Sequence, residues 1–317
     1  MKLATSTGDF SHYFGSVADK VRALGGTKFK NINLELTGQT PALFGGDDDW
    51  RAWAEELALA KEEAGVSYVV AHAPCLHNPI VNEAGELLPS DWYRSNILAI
   101  RRSIEMCHLL RIPRIVIHAC ASPSLSEDAF IRYNKRFYSE FFDLMEKYDI
   151  TVMTENWDNN ATHFSTGKEM RAFIDEINHP LFAACWDTAH GNICPKARAI
   201  GQYENLVALG DKLKGLHISD NFGDTHHHSW PFAGVINFDS VMQALTDVRY
   251  DGYFTFEASY TLLHQNNLPY NRKAWEHEGE TVMRLLNPSV ALKQKAVDLL
   301  FETGKYILES YGCFEEN

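Results

Sequence analysis

Carboxylate and imidazole side chains recur at the ends of short apolar runs along most of this chain. Six of them lie at or near the end of such a run: His72, His118, Glu155, Asp187, His217 and Glu257. Two more follow at a spacing of three residues, namely His190 and Asp220. Side chains of these types bind divalent metal ions and transfer protons in general acid–base catalysis. The pattern therefore indicates a site that combines metal binding with proton transfer.

Each of these residues has a simpler structural role when it is considered alone. A histidine at the end of an apolar strand usually makes a hydrogen bond at the rim, and an acidic residue there often caps the next helix. Asp187, which is followed by Thr188, fits such a cap. If all six side chains converge, however, their carboxylates repel one another unless a cation or a shared proton offsets the charge. A bound metal ion is the simplest solution.

Eight β-rich runs alternate with segments of helical spacing, and these elements must position the site. The runs are Lys2–Ser6, Asn31–Leu36, Ser67–His72, Arg114–Ala119, Ile150–Asn156, Phe182–Asp187, Leu213–Ser219 and Gly252–Ala258. Between them, apolar residues step by three and four positions, as at Trp50, Trp53, Leu57 and Ala60. Strands separated by helices pair in parallel, and eight such units predict a closed (β/α)8 barrel.

We expect one α/β domain over residues 1–317, with a C-terminal helical extension from about residue 258 that includes an amphipathic stretch near Val290–Leu308. A doubly wound open sheet is the alternative, but no G-x-G-x-x-G follows the first β-rich run. In a (β/α)8 barrel the carboxyl ends of the strands build the active-site face. The acidic residues and histidines would then share one site.

Composition and charge restrict the class of partner. A hydrophobic fraction of 45% fits a globular enzyme, and a net charge of −13 argues against nucleic acid, whose binders carry basic patches. The start of the chain lacks a secretory pattern, and no apolar run has the length of a membrane span. The 6 cysteines include no C-x-x-C pair. We expect a cytoplasmic homo-oligomer without a membrane partner, and a different partner subunit is the alternative.

The donor types restrict the metal. Two glutamates, one aspartate and one histidine offer three oxygens and one nitrogen, without a thiolate. Such a set suits Mn²⁺, Co²⁺ or Mg²⁺, and Zn²⁺ is also compatible with it. We expect one divalent ion, with Mn²⁺ favoured. Cys120 and Cys185 lie near the strand ends, but their apolar neighbours favour a place in the core.

The ordered motifs resemble those of the xylose isomerase-like barrels. This family includes ketose 3-epimerases, inosose dehydratases, hydroxypyruvate isomerases and abasic-site endonucleases. The matching motifs are AHAP, IVIHA, TEN, WDTAH, LHISDN and FEA, followed by HHHSWPFAGVINF. That last stretch is similar to the family's D-x-H-x-x-P-G-x-G-x-I-D segment. The resemblance runs from the third strand to the eighth.

The resemblance implies a role for most of these residues. The positions that match the family's single metal site are Glu155, Asp187, His217 and Glu257. The two glutamates are also the family's acid–base pair in epimerisation, and His190 matches its substrate-contacting histidine. The positions that match histidines lining the pocket, or holding further metals in the endonucleases, are His72, His118 and His228. Trp157 and Asp220 complete the expected substrate-binding set.

The loop after the seventh strand departs from the family pattern. His226 stands where the family often has an aspartate, and Phe232 replaces one glycine of the P-G-x-G segment. Gly223 stands where some epimerases carry an arginine. The H-x-x-P spacing to Pro231 predicts that His228, and not His226, points into the pocket.

We therefore expect a metal-dependent sugar isomerase or epimerase. It would act on a non-phosphorylated ketose, cyclitol or keto-sugar, since the loops after strands seven and eight lack an evident Lys or Arg clamp for phosphate. Glu155 and Glu257 would move protons on opposite faces of a substrate, next to a metal-bound carbonyl. The alternatives are a lyase on a 3-keto-glycoside, similar to a C-glycoside deglycosidase subunit, an abasic-site endonuclease with three zinc ions, and a barrel that binds sugar without catalysis.

Overall fold

The computed structural model describes residues 1–36, 41–75, 90–120, 126–158, 163–263, 275–282, 284–285 and 287–316. Eight strands in these ranges form one parallel sheet: β1 (Leu3–Ser6), β2 (Asn31–Glu35), β3 (Ser67–His72), β4 (Arg114–Val116), β5 (Thr151–Glu155), β6 (Phe182–Asp187), β7 (Leu213–His217) and β8 (Phe254–Phe256). Their order in the sheet is β7-β6-β5-β4-β3-β2-β1-β8. All eight predicted strands are present, and most are shorter at their ends than the predicted runs.

The sheet closes on itself where the chain leaves β7. The Ile218 N–H donates to the Thr255 carbonyl at 2.8 Å, and the Glu257 N–H donates to the Ile218 carbonyl at 3.1 Å. These bonds join β7 to β8, which already pairs with β1. The predicted (β/α)8 barrel is therefore confirmed.

Helices occupy most of the connections between the strands. Those in the described ranges are α1 (Val17–Gly25), α2 (Pro41–Phe44), α3 (Asp47–Ala64), α4 (Asp91–Leu110), α5 (Glu127–Ser139), α6 (Phe142–Tyr148), α7 (Gly167–Ile177), α8 (Thr188–Ile193), α9 (Pro195–Ile200), α10 (Gln202–Leu209), α11 (Phe238–Asp247) and α12 (Val290–Ser310). None of these helices is long and apolar enough to cross a membrane.

Helix α3 illustrates how local sequence fixes these elements. Its first turn is the acidic run Asp47–Asp49, which complements the positive end of the helix dipole. The Asp49 carboxylate accepts a hydrogen bond from the Gly46 N–H at 2.7 Å. Gly65 follows the last residue of the helix, and its φ of 63° suits a glycine at a helix C-terminus. The predicted apolar face is confirmed, since Trp50 and Leu57 are buried.

Alternation along the strands separates the barrel interior from the layer beneath the helices. On β6, Phe182 and Trp186 join the large core beneath the helices, whereas Ala183 and Cys185 belong to a smaller cluster within the barrel. Successive strand residues point to opposite faces, so Asp187 points inward at the end of β6, above Cys185. The same period brings the polar ends of the neighbouring strands into the barrel mouth.

The C-terminal extension is partly helical, as predicted. Helix α12 packs against α1 and β1, and a short hairpin of β9 (Trp275–His277) and β10 (Glu280–Val282) precedes it. Residues 264–274 of the predicted extension lie outside the described residues. The buried Lys293 of α12 donates hydrogen bonds to the carbonyls of Ser259 and Thr261, at 3.0 and 2.7 Å. This lysine thereby holds the chain that leaves β8.

Lys293 also faces the buried carboxyl group of Asp9. The Thr5 hydroxyl donates to Asp9 at 2.6 Å. Burial raises the Asp9 pKa from 3.8 to about 6, even though Lys293 and Thr5 act in the opposite direction and only Glu35 adds to the rise. Because an unfolded chain ionises Asp9 more readily, the folded state gains stability from this group at low pH and loses it as the pH rises through about 6.

We predict that the substitution Asp9→Asn changes how stability depends on pH. The unfolding free energy of the wild type, relative to the variant, should fall by about 1.5 kcal/mol between pH 5 and pH 7.5. Urea unfolding of both proteins at the two pH values measures this difference. The exposed Asp48→Asn variant is the control and should stay within about 0.5 kcal/mol of the wild type at both pH values. A pH-independent difference for Asp9→Asn would contradict the assignment.

Candidate metal centre

Four predicted ligands converge at the carboxyl ends of β5 to β8. The side chains that meet there are Glu155, Asp187, His217 and Glu257, and one ligand atom from each lies within 4.8 Å of every other. Metal bonds of ~2.0–2.3 Å place two donors of one ion up to about 4.6 Å apart. The arrangement therefore needs only a small contraction to hold an ion. Glu257 is 18% exposed and the other three are at most 1% exposed, so the group opens on the side of Glu257.

His217 lies at the middle of this group. Its Nδ1 atom is 2.9 Å from Glu155 Oε1 and 3.1 Å from Glu257 Oε2. Burial acts to lower the pKa of His217, but Cys185, Glu155 and Glu257 outweigh it and hold that pKa well above its ordinary value. Burial likewise acts to raise the pKa of Glu155, which His217 and His118 nevertheless hold well below its usual range. Burial does raise the pKa of Glu257. The histidines thus neutralise part of the buried negative charge.

The two carboxylate oxygens of Asp187 have different surroundings. Its Oδ1 atom accepts a hydrogen bond from the His190 N–H at 2.9 Å and so caps α8. Its Oδ2 atom is buried and has no hydrogen-bond partner among the described residues. A buried carboxylate oxygen without a partner is costly, and a cation would satisfy it. The donor types and this open oxygen fit a divalent ion.

Two further histidines lie on the β3 and β4 side of Glu155. His118 Nε2 is 3.1 Å from Glu155 Oε2, and His72 Nε2 is 3.1 Å from His118 Nε2. Together with Cys75, they form a second group whose ligand atoms lie within 4.8 Å of one another. The Trp157 ring packs edge-on against His118, with ring centroids 5.0 Å apart. These residues line one wall of the site.

A third group forms on the opposite side of Asp187. It consists of Asp187, His190 and His226, with ligand atoms again within 4.8 Å of one another. His190 Nδ1 lies 2.8 Å from the Asn156 carbonyl oxygen. Because a carbonyl oxygen can only accept a hydrogen bond, Nδ1 must donate and therefore carries a proton. His226 Nε2 lies 3.9 Å from Asp187 Oδ2. Burial lowers the pKa of His226 well below its ordinary value, and the adjacent His228 adds to this effect.

The expectation was that His228, and not His226, points into the pocket, but the structure brings both residues to the barrel mouth. The His226 ring is tilted against that of His190, with ring centroids 4.5 Å apart, and it approaches Asp187, as described above. His228 adopts a φ of 41°, and its Nδ1 atom lies 2.9 Å from the Glu257 carbonyl at the end of the barrel. The two rings are 3.7 Å apart, so both face the barrel while His227 turns away to pair with Asp224. The H-x-x-P spacing measures distance along the chain and carries no information about this backbone turn.

Asp220 does not join the cluster, although the sequence predicts a substrate contact. Its carboxylate accepts hydrogen bonds at 2.9–3.1 Å from four backbone N–H groups, which belong to Asn221, Phe232, Gly234 and Ile236. A Cβ atom added at Gly234 would lie 2.3 Å from Asp220 Oδ1, so this close approach requires glycine. Asp220 therefore shapes the loop that carries the three histidines.

Sequence reasoning missed polar residues that support the cluster from β2 and β5. Asn33 is fully buried, with its Nδ2 atom 3.4 Å from His217 Nε2. Asn156 holds the backbone of Asp187 through two hydrogen bonds of 2.7 and 3.0 Å. The sequence contained a signal that could have identified Asn33. Asn31, Asn33 and Glu35 occupy alternate positions of β2, so their side chains must share one face of the strand.

A comparison of the sequence with models of known protein families assigns this chain to a family. A model of the xylose isomerase-like TIM barrel family matches residues 19–282. The match covers most of the chain, so the protein belongs to the xylose isomerase-like TIM barrel family. Members of this family are metal-dependent, in agreement with the ligand types gathered at the strand ends.

Two curated relatives match parts of the chain. L-ribulose 3-epimerase from Methylomonas sp. (strain DH-1) is 34% identical over 116 residues, which are 37% of this chain and 34% of that protein. A protein named Probable endonuclease 4, from Geobacter sp. (strain M21), is 24% identical over 183 residues, which are 55% of this chain and 61% of that protein. The chain thus spans between 34% and 61% of the length of these two relatives.

Two solved structures share the fold over nearly the whole chain. D-allulose 3-epimerase from Methylomonas sp., in complex with D-allulose, has a TM-score of 0.71 and 16% identity, and the match covers 96% of both chains. The 3-keto-D-glucoside 4-epimerase of E. coli has a TM-score of 0.64 and 17% identity, with 95% of this chain and 99% of that chain covered. At these identities the likeness shows the common fold alone.

We predict that Asp220→Ala destabilises the protein, by about 3 kcal/mol, because four backbone N–H groups lose a charged acceptor. The matched control is Asp224→Ala in the same loop, where the carboxylate is exposed, and the change should be below about 0.5 kcal/mol. Urea unfolding followed by tryptophan fluorescence measures both. Equal midpoints for the two variants would contradict the role of Asp220 as the clamp of this loop.

Proposed function

We propose that the protein is a sugar epimerase or isomerase that uses one divalent ion. The proposed ligands are the four side chains of the first cluster: Glu155, Asp187, His217 and Glu257. The observation that carries the proposal is that two glutamates, from the ends of β5 and β8, contact a single histidine. The group is buried, and its Asp187 Oδ2 atom has no hydrogen-bond partner among the described residues, so a cation would stabilise it. Mn²⁺ is the favoured ion, because the set is rich in oxygen donors and lacks a thiolate.

The two glutamates are suited to proton transfer on opposite sides of a substrate. Their strands lie three positions apart around the barrel, so the carboxylates approach the cluster from different directions. In the proposed reaction one glutamate takes the proton from the carbon beside a ketone, and the other returns a proton to the opposite face. When bound, a divalent ion polarises the carbonyl and contributes several kcal/mol to stabilising the developing charge.

His190 is the proposed substrate-orienting residue. Its Nδ1 proton is committed to the Asn156 carbonyl, and its Nε2 atom lies on the Asp187 side of the site, 3.9 Å from Asp187 Oδ2. A sugar hydroxyl that forms a hydrogen bond with Nε2 would be held in a fixed position. His72, His118, His228 and Trp157 are the further proposed substrate contacts, since they surround the glutamates.

A non-phosphorylated ketose or keto-sugar is the proposed substrate class. The described loop residues 218–236 and 257–263 contain neither Lys nor Arg, and phosphate sites in such barrels commonly use these loops. The nearby Arg198 guanidinium donates to the Gly223 carbonyl. The relatives' names, which refer to L-ribulose, D-allulose and a 3-keto-D-glucoside, support a substrate with a ketone beside a carbon that bears a hydroxyl. With a leaving group at the next carbon, the same proton abstraction would give the lyase alternative.

An abasic-site endonuclease with three zinc ions is the second candidate function. Two of the three additional groups, His72–Cys75–His118 and Asp187–His190–His226, favour it because each offers three metal-ligating side chains beside the first cluster. The net charge of −13 argues against a DNA substrate, whose affinity comes largely from Lys and Arg contacts to phosphates. The number of bound ions separates the two candidates.

We predict one divalent ion per chain after reconstitution with an equimolar mixture of Mn²⁺ and Zn²⁺. Elemental analysis after removal of free metal measures this number. Glu155→Gln should lower the occupancy, since it removes a carboxylate charge from the cluster, whereas Glu62→Gln on the exposed face of α3 should not change it. Three zinc ions per wild-type chain would contradict the sugar-enzyme proposal and favour the endonuclease.

We also predict deuterium at the carbon beside the ketone when the protein converts a ketose or 3-keto-glycoside in D₂O with Mn²⁺. Proton exchange at a glutamate introduces solvent deuterium at that carbon. Mass spectrometry of the recovered sugar measures it. Glu155→Gln and Glu257→Gln should each lower turnover by about 10²–10⁴-fold. Conversion without any deuterium would count against proton transfer and favour a hydride shift.

A further inference from the structure

Glu35 places a fourth carboxylate at the barrel mouth, apart from the first cluster. The residue is half-buried at the end of β2, and it shares the inner face of that strand with Asn33. Asn33 Nδ2 lies 3.4 Å from His217 Nε2, at the edge of the cluster. Two residues of a strand span about 7 Å, so Glu35 lies one such step above the cluster, toward the opening of the barrel.

One oxygen of the Glu35 carboxylate is held by β1 and the turn that follows it. The Ser6 hydroxyl donates to Glu35 Oε1. Ser6 Oγ in turn accepts the Gly8 N–H at 2.8 Å, and the Glu35 N–H donates to Thr7 Oγ1 at 3.0 Å. A Cβ atom added at Gly8 would lie 2.6 Å from Glu35 Oε1, so a larger residue there would displace the carboxylate. These contacts fix the carboxylate from one side.

The second oxygen of Glu35 has no such commitment. Its Oε2 atom has no hydrogen-bond partner in the described part of the chain, and no Lys or Arg there forms an ion pair with this residue. Burial raises the pKa of Tyr260, and the charges of Glu257 and Glu35 add to this effect, so Glu35 acts on the same space as the loop after β8. A carboxylate oxygen in such a place can accept a hydrogen bond from a ligand.

The order of the strands places Glu35 where the far end of a substrate would lie. β2 is four positions from β6 in the ring of eight strands, so Glu35 lies across the mouth from Asp187. Because the first cluster occupies the ends of β5 to β8, the rest of a sugar held there has room over the ends of β1 to β4. His72 and His118 form the wall of this space beside the cluster, and Glu35 lies further along it.

We infer that Glu35 is a specificity-determining residue, whose carboxylate accepts a hydrogen bond from a sugar hydroxyl at the end of the substrate remote from the ketone. The inference rests on the proposed function, because it requires a sugar whose ketone end is held by the first cluster. A carboxylate or phosphate group at the remote end would be repelled by Glu35. Since the contact exists both before and during proton transfer, it lowers KM and leaves kcat nearly unchanged.

The test is a kinetic cycle that combines a protein variant with a change in the sugar, in the Mn²⁺-reconstituted full-length chain. The parent sugar is the one converted fastest among D-allulose, L-ribulose and methyl 3-keto-D-glucoside. Its analogues each lack one hydroxyl remote from the ketone. Glu35→Ala should raise KM for the parent by about 10–100-fold, with kcat within about threefold. For the analogue that lacks the contacted hydroxyl, the same substitution should change KM by less than about threefold.

Matched controls separate recognition of the sugar from support of the fold. Glu56→Ala removes an exposed carboxylate from α3 and should leave KM unchanged. Ser6→Ala removes the donor to Oε1 but keeps the Glu35 carboxylate, so its effect on KM should be smaller than that of Glu35→Ala. Glu35→Gln keeps the size of the side chain and decides the question if Glu35→Ala does not fold, as thermal unfolding shows. It should also raise KM, and only for sugars that carry the contacted hydroxyl.

Equal increases in KM for the parent sugar and for all of its deoxy analogues would overturn the inference, because Glu35 would then only support the fold around β1 and β2. An unchanged KM, or a loss confined to kcat, would overturn it as well. A wild-type chain that converts none of the three sugars would instead overturn the proposed function. The two failures are therefore distinct.

Discussion

The burial of three carboxylates at one end of the barrel is the constraint on which the rest of the structure depends. Glu155, Asp187 and Glu257 lie together where water is scarce, and their mutual repulsion must be offset within the protein. His217 offsets part of it by facing two of them with one nitrogen. The proposed divalent ion would offset it more completely.

The barrel makes such a concentration of charge tolerable because its strands are rigid and bonded on both sides. Each strand end fixes one side chain of the cluster, and neighbouring groups fix its direction. Asn156 binds the backbone of Asp187, and the α8 N-terminus binds one of the Asp187 oxygens. The loop after β7 adds further histidines to the barrel mouth. Asp220 gathers four backbone N–H groups and thereby sets the path of the segment that carries His226 and His228.

The fold was predictable from the sequence because the strand and helix periods are strong and alternate eight times. The convergence of Glu155, Asp187, His217 and Glu257 was predictable for a related reason, since parallel strands bring their carboxyl ends to one face. The orientation of the loop histidines was not predictable. It depends on the positive φ of His228 and on hydrogen bonds to the distant Asp220, neither of which leaves a local pattern. Asn33 was missed because its partner, His217, lies 184 residues away in the chain.

The double use of Asp187 limits how this site can change in evolution. One oxygen caps a helix and the other faces the cluster, so a single carboxylate would serve both folding and the proposed chemistry. Asparagine would preserve the helix cap but would bring a neutral group to the cluster, and alanine would lose both functions. A barrel of this kind that drifted away from metal chemistry could therefore keep a side chain related to Asp187 for the sake of α8 alone. Persistence of this position in a relative is weaker proof of catalysis than persistence of Glu257, whose carboxylate has no comparable structural duty in the described residues.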